Sequence, residues 1–217
     1  QARIDELPGR AQQHRAKLLT DLILTGETAL AYDGQYFFDT DHSEGTSGTQ
    51  DNDLVFDISD NGTGGTDTAP LADTIQGAVL AAVQAIYGFK DDKGEPMNDG
   101  AMNFEVHVPA TFMGETIKAL TMPLVGGGDS NVLLSNAFRL TPVVNPRLTW
   151  TTKLAVYTTD GTTKPFIEQV EQDPMMDAIA EGSELEIRDR KHLYTVTRIG
   201  NVAFGMWQKA CLVTLQA

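Results

Sequence analysis

The order of periodicities along the chain constrains its fold more than any other feature: helical spacing comes early and strand-like alternation comes late. Ala11, Arg15, Leu18 and Leu22 recur at fours with Leu19 and Ile23 beside them. Pro8 and Gly9 precede this stripe and Gly26 follows it, which predicts a first helix closed by a glycine cap. Gln12, Gln13, Lys17 and Asp21 fall on its other faces, so it should pack along one side. A second helix is expected after Pro70, where Leu71, Ile75, Val79, Val83 and Ile86 recur until Gly88 stops them. Phe104, Val106 and Val108 then alternate as a half-buried strand ended by Pro109, with a third helix over about Ala110 to Leu120.

Beyond the glycine-rich loop from Val125 to Asn131, residues 138–144, 150–157, 166–170, 185–188 and 193–215 read mostly as strands. The alternation is clearest at Leu154 and Val156 and again at Tyr194 and Val196. Helices first and strands later, with no regular strand–helix alternation and no internal repeat, point to an α+β fold rather than a doubly wound sheet. Between the first two helices, from Tyr32 to Thr68, only Tyr36 to Phe38 and Leu54 to Ile58 are apolar within a Gly, Ser, Thr, Asp and Asn background. This stretch is expected to be a surface excursion, of a length usually tied to function or an interface.

At 217 residues the chain can bury roughly 70–75% of its unfolded surface, enough for one domain or two small ones. A hydrophobic fraction of 41% and an aromatic fraction of 7% indicate neither disorder nor a fibrous repeat. No apolar run nears the roughly 18 residues that cross a bilayer, and Gln1 to Arg10 lack the apolar core of a signal peptide. The chain opens on Gln1 rather than Met, so it is expected to be a fragment, a processed product or an edited chain. The single cysteine, Cys211, rules out an internal disulfide framework and any multi-cysteine zinc site, and reads as a buried small hydrophobe suited to a reducing compartment. Sixteen basic against thirty acidic residues, a formal charge of −14, argue against a protein that grips phosphate backbones. The same charge keeps a surface free of polyanions by like-charge repulsion.

Each motif with chemical potential also has a structural reading. Asp39, Asp41, His42 and Glu44 offer three carboxylates and an imidazole for a metal or an acid–base pair, but one short loop rarely converges enough oxygens on a hard cation. A loop whose aspartates cap turns is the expected reading. Asp57-Ile58-Ser59-Asp60-Asn61-Gly62 opens like a calcium loop, yet its twelfth position is Thr68 instead of a bidentate glutamate. Gly126-Gly127-Gly128 lacks the Gly-Lys-Ser/Thr of a phosphate cradle and reads as a hinge or tip. His14, His42, His107 and His192 lie on four separate elements, and no Gly-x-Ser-x-Gly elbow occurs, so a nucleophilic triad has no support. Arg188, Arg190, Lys191 and Arg198 are interleaved with Glu184, Glu186 and Asp189, a mixture that predicts salt bridges or a charge-matched contact with another copy. Trp150 and Trp207 are expected in the core.

The segment Tyr32-Asp33-Gly34-Gln35-Tyr36-Phe37-Phe38-Asp39-Thr40-Asp41-His42 resembles the signature of the Mu-like major head subunit family, in which an aspartate–glycine turn precedes two aromatics and an acidic–histidine tail. Two further stretches fall in the family's order: Lys164-Pro165-Phe166-Ile167-Glu168-Gln169, and Arg198-Ile199-Gly200-Asn201-Val202-Ala203-Phe204-Gly205-Met206-Trp207-Gln208. The chain departs from the pattern at Ser43, where the family usually has proline, and at Leu154 and Ala155, where it usually has a tryptophan nearby.

The resemblance implies the Hong Kong 97 type capsid fold, with residues 1–66 as the spine helix and surface loop of a peripheral domain, 67–163 as an axial domain, and 164–217 as return strands of the peripheral domain. The N-terminal arm and extended loop usual in the family would have no room here. The implied function is that of a structural, non-enzymatic major capsid protein of a tailed phage or prophage. Copies would build pentamers and hexamers of an icosahedral shell around double-stranded DNA, without sequence-specific binding, membrane contact, metal or cofactor. Scaffold, portal and decoration proteins are its implied partners, the virion its location, and the bacterial cytoplasm its place of assembly. Tyr32, Asp33, Gly34, Phe37, Phe38, Asp41, His42, Pro165, Gly200, Gly205, Trp207 and Gln208 are its structural signature positions. The alternative reading is an acidic calcium-dependent binding module centred on Asp39 to Asp60. A hydrolase needing a base near Ser43, Ser47 or Ser59 stands third.

Overall fold

The computed structural model describes residues 6–59, 65–125, 128–135 and 137–217. The chain divides into two compact units: residues 1–23 with 167–203, and residues 24–166 with 204–217.

The larger unit is organised by a five-stranded mixed sheet in the order β1-β9-β6-β2-β5. Its strands are β1 (Asp53–Asp57), β2 (Asn103–Val108), β5 (Arg139–Val144), β6 (Lys153–Thr158) and β9 (Ala210–Gln216). β6 runs antiparallel to both β9 and β2, while the two edge strands β1 and β5 lie parallel to β9 and β2. The two strands at the middle of this order explain their own sequences. Leu154 to Thr158 and Ala210 to Val213 are buried without a break, so the alternation expected at Leu154 and Val156 gives way to strands covered on both faces. β2 keeps a strict alternation that sends Phe104, Val106 and Val108 inward, as expected of a strand with one wetter face. Pro142, which cannot donate to a ladder, sits in the edge strand β5.

Helix α2 (Ala72–Gly88) packs on this sheet through Ile75, Ala78, Val79, Ala82, Val83 and Ile86, the three-and-four spacing of a single buried stripe. Gly77 permits the close approach, since a Cβ there would stand 2.6 Å from the Phe56 ring of β1. The predicted third helix starts as a 3₁₀ turn over Ala110–Phe112 and continues as α3 (Met113–Thr121), which packs against α2. After α3, β3 (Leu124–Val125) and β4 (Asp129–Ser130) form a short hairpin at the expected glycine loop, of which Gly126 and Gly127 lie outside the described residues. Asn131 ties the end of this hairpin to α3. Its Nδ2 donates to the carbonyls of Ala119 and Met122, and its Oδ1 accepts from Leu133 N.

The smaller unit contains most of α1 (Leu7–Leu24) and a two-stranded ribbon of β7 (Phe166–Ile179) and β8 (Leu193–Phe204). Arg15 of α1 and Arg198 of β8 both meet the carboxylate of Glu168 on β7. Helix α4 (Glu184–Asp189) lies between the two strands in sequence, at the far end of the ribbon.

Four sequence expectations change. Residues 185–188 are helix α4, not a strand. Ser183 caps it by accepting from Glu186 N, and Glu186 reaches back to accept from Gly182 N, a capping pattern that outweighs the apolar Leu185 and Ile187. The strand expected over 166–170 runs on to Ile179. The expected 193–215 strand is two strands from different sheets, separated by a 3₁₀ turn at Trp207–Lys209. The stretch from Tyr32 to Thr68, expected as a surface excursion, instead buries Phe37, Phe38, His42, Asn52, Phe56 and Ile58.

Candidate functional site

The signature segment folds into a knot of aromatic rings and amides within the larger unit. Its first turn follows from local chemistry. Asp33 accepts from Gln35 N through Oδ1, Gly34 takes a positive φ of 86°, and Ala31 N donates to Gln35 O, so the chain reverses between Leu30 and Tyr36. Asp39 then caps a second bend, accepting from Tyr36 N and Thr40 N. The backbone amides of Phe37 and Phe38 donate to Ala29 O and Gly26 O, which turns both rings into the core.

Phe37 stacks on Phe204 with ring centroids 4.4 Å apart and touches Phe166 at 5.3 Å, with Phe38 edge-on at 4.9 Å. His42 has no exposed surface. Its Nδ1 lies 2.7 Å from Asp33 Oδ2, and its ring lies flat on the Trp207 indole at 3.9 Å and 8°. Phe89, just past α2, closes edge-on against the same indole. Next to them Tyr32 and Gln208 exchange two hydrogen bonds, at 3.2 and 2.9 Å. Burial, and then the hydrogen-bonded carboxylate of Glu44, push the Tyr32 phenol well above its ordinary range.

Two buried asparagines hold the knot to β9 and to α2. Asn52 accepts from Asp39 N, and its Nδ2 faces the carbonyls of Phe37 (2.9 Å), Trp207 (3.4 Å) and Ala210 (3.4 Å). Asn98 Nδ2 donates at 2.7 Å to both Ile86 O and Gln208 O. Gln50 pairs with the backbone of Lys90 on both its amide atoms. Gly45 lies so close to Asp92 that a Cβ would stand 2.2 Å from its carbonyl oxygen, and Thr46 N donates to that oxygen.

The structure thus gathers Tyr32, Asp33, His42, Trp207 and Gln208 into one contact network, with Phe37 and Phe38 joined to it through Asn52. Pro165 and Gly205 meet by a Gly205 N to Pro165 O bond of 2.8 Å, and Asp41 accepts from the Gln35 side chain at the exposed rim. Gly200 belongs to the other unit, in the ribbon, where a Cβ would stand 2.9 Å from Gln169 O. Asn52, Asn98 and Gln50 do not stand out in the sequence, because a buried amide and a loop amide look alike there.

A second polar cluster lies at the start of β1. Glu27 is ion-paired with Lys153 of β6. Asp53, half-buried, is pushed up to about 6 by burial and then by the charge of Glu27, with Lys153 working against the rise. Burial likewise raises Asp51, whose Oδ1 accepts from Asp53 N.

These arrangements hold backbone in place. Asp39 and Asp41 are engaged in the turn, and the His42 imidazole faces Asp33 and Trp207. Ser47 Oγ accepts from Glu44 N and donates to Gly48 O, and Ser59 Oγ donates to Asp57. Asp60, Asn61 and Gly62 of the calcium-like run lie outside the described residues. No group of three or more His, Cys, Asp or Glu side chains is set to hold a metal among the described residues.

Comparison with known proteins gives these arrangements a context. Residues 1–72, which include the whole Tyr32 to His42 signature, match the model of the family described as Mu-like prophage major head subunit gpT. No curated protein sequence matches the chain. Among solved structures, the chain resembles the asymmetric unit of the bacteriophage PhiM1 mature capsid, with a TM-score of 0.53 at 10% identity, covering 95% of this chain and 61% of that one. The procapsid of bacteriophage JBD30 matches at a TM-score of 0.41 and 19% identity over 96% of this chain and 42% of that one. The capsid of Myoviridae phage XM1 matches at 0.47 and 15% over 96% and 65% respectively. The chain therefore spans less than two thirds of the capsid chains it resembles. Its α+β fold is that of the Hong Kong 97 type phage capsid subunits.

Proposed function

We propose that this chain is the body of a structural head protein, a tile that copies of itself assemble into the icosahedral shell of a tailed phage or prophage. The observation that carries this reading is the coincidence of a capsid-subunit fold with a family match that contains the knot-forming signature. A tile must hold its shape while its edges are loaded by neighbours. A core fixed by the amide bonds of Asn52 and Asn98 and by the close packing of the His42 and Trp207 rings suits that demand, because each ties loop backbone to the rest of the larger unit.

On this reading the smaller unit, with α1 as its spine, corresponds to the peripheral domain, and the five-stranded sheet with α2 and α3 to the axial domain. The protein's place is the virion, and its role is mechanical rather than enzymatic. Its excess of carboxylates keeps a shell interior from adhering to the DNA within it. Scaffold, portal and decoration proteins are the natural further partners of such a tile, and the host cytoplasm the place where they meet.

The test is assembly. The full-length gene product, expressed alone and with its neighbouring head genes, is examined by electron microscopy, and uniform closed shells are expected. A protein that stays monomeric across ionic strengths and with every co-expressed head protein would overturn the reading.

A further inference from the structure

The ribbon of β7 and β8 is built as half of a contact. A two-stranded sheet has no interior of its own, yet this one exposes Ile167, Met175, Ile179, Leu193 and Ile199, and α4 presents Ile187 with 78% of its surface in solvent. Side chains along a strand alternate between faces, so the odd-numbered positions of β7 share one face. That face carries Ile167, Met175 and Ile179 interleaved with the exposed carboxylates Glu171, Asp173 and Asp177. None of these three acids has an ion-pair partner among the described residues, in contrast to Glu168 at the ribbon base, which has both Arg15 and Arg198.

Unpaired cations stand at the other end of the same ribbon, beside the exposed Glu181. Arg188 is held locally by Glu184 and Asp189, and His192 by Glu186. Arg190 and Lys191 are exposed and make no ion pair among the described residues. Arg190 also adopts φ 51°, alone among the described non-glycine residues in the left-handed region. There it ends α4 as a left-handed C-cap, its backbone N–H donating to Glu186 O.

Glu171 and Asp173 lie eight and six residues of extended chain from Ile179, roughly 25 and 20 Å, beyond the reach of an arginine at the tip, whereas Asp177 at two residues is within it. The tip of one copy cannot neutralise Glu171 and Asp173 of the same copy. We infer that the tip of the ribbon, Arg190 and Lys191 with Ile187, docks on the acidic and apolar β7 face around Glu171 and Asp173 of a second copy of this chain. Such a tip-to-stem contact joins two different surfaces, so it repeats from copy to copy around a ring instead of ending at a dimer. The occupant is a second copy because both halves of the charge pattern lie on one element. Nucleic acid and anionic membranes are disfavoured by the three stem carboxylates. The inference rests on the shell-tile reading and specifies one contact within it.

The test is a charge exchange in the full-length gene product. Arg190→Glu with Lys191→Glu forms one variant, Glu171→Lys with Asp173→Lys a second, and all four exchanges in one chain a third. Circular dichroism and thermal melting check that each folds, which is expected because every changed side chain is exposed. Each of the first two should lose shell yield by about tenfold or more, and the chain carrying all four exchanges should recover it, because reversed tip then meets reversed stem at every contact. Single-sided variants that assemble as well as the unaltered protein, or a four-exchange chain that recovers nothing, would overturn this contact and leave the tile reading standing. Failure of the unaltered protein to assemble at all would overturn the tile reading and this contact with it.

Discussion

The signature knot and the ribbon answer the same physical problem in opposite ways. In the knot, side chains are packed inside the chain: Asn52 touches four backbone groups, and Phe37 and Trp207 lie in ring stacks. In the ribbon, apolar side chains and charges face outward with few partners. One region is buried within the monomer and the other is exposed on it, which is the division of labour expected of a subunit that keeps its shape and lends its edges to an assembly.

Substitutions should therefore separate the two regions by their effect on the monomer. The largest loss is expected from Trp207→Ala, which removes a fully buried indole packed on His42 and Phe89. About 3–5 kcal/mol of stability should go, read as an earlier midpoint in guanidinium unfolding. Asn52→Ala should cost about 2–3 kcal/mol, because it strands Asp39 N and the Phe37 carbonyl in a buried setting. If either variant melted within a degree of the parent, the knot would not be the fixed centre described here.

Asp53→Asn tests the charge cluster beside the knot through pH. The carboxylate of Asp53 is pushed up to about 6, above its value in the unfolded chain, so the folded protein holds it charged at a penalty that is full above pH 6. That penalty is relieved as pH falls through 6 and is gone below about 4, where both states are protonated. The variant should gain about 1 kcal/mol at pH 8 and nothing at pH 4, in paired denaturant titrations. A gain independent of pH would assign the effect to something other than charge. The smallest change is expected at Ile187→Ser in the ribbon, within about 0.5 kcal/mol of the parent as a monomer, despite removing a large apolar group. A loss there as large as that of Trp207→Ala would erase the contrast.

Much of the larger unit was legible in sequence because its elements obey one rule at a time. Helix α2 shows a clean buried stripe, and β2 alternates without exception. The errors arose where two rules compete. In α4, the apolar Leu185 and Ile187 imitate a strand while Ser183 and Glu186 cap a helix, and the caps win. Between Tyr32 and Thr68, polar composition suggested a surface loop, yet Asp33, Asp39 and Asn52 use their polarity to bond the backbone that turns Phe37, Phe38 and His42 inward. The run after Leu193 concealed a change of sheet, since Gly205 and the 3₁₀ turn at Trp207 interrupt it without breaking its apolar character. The signature residues could be named from sequence, but their stacking of His42 on Trp207 joins positions far apart along the chain and required the fold.

Hydrogen exchange measured on the same protein before and after shell formation tests the contrast most directly. Amides of the ribbon, from Glu171 to Ile199, should gain protection on assembly, while those of the knot, around Phe37, Phe38 and Asn52, should already be slow in the free subunit and change little. Slow exchange in the free ribbon with protection gained only in the knot would contradict the account.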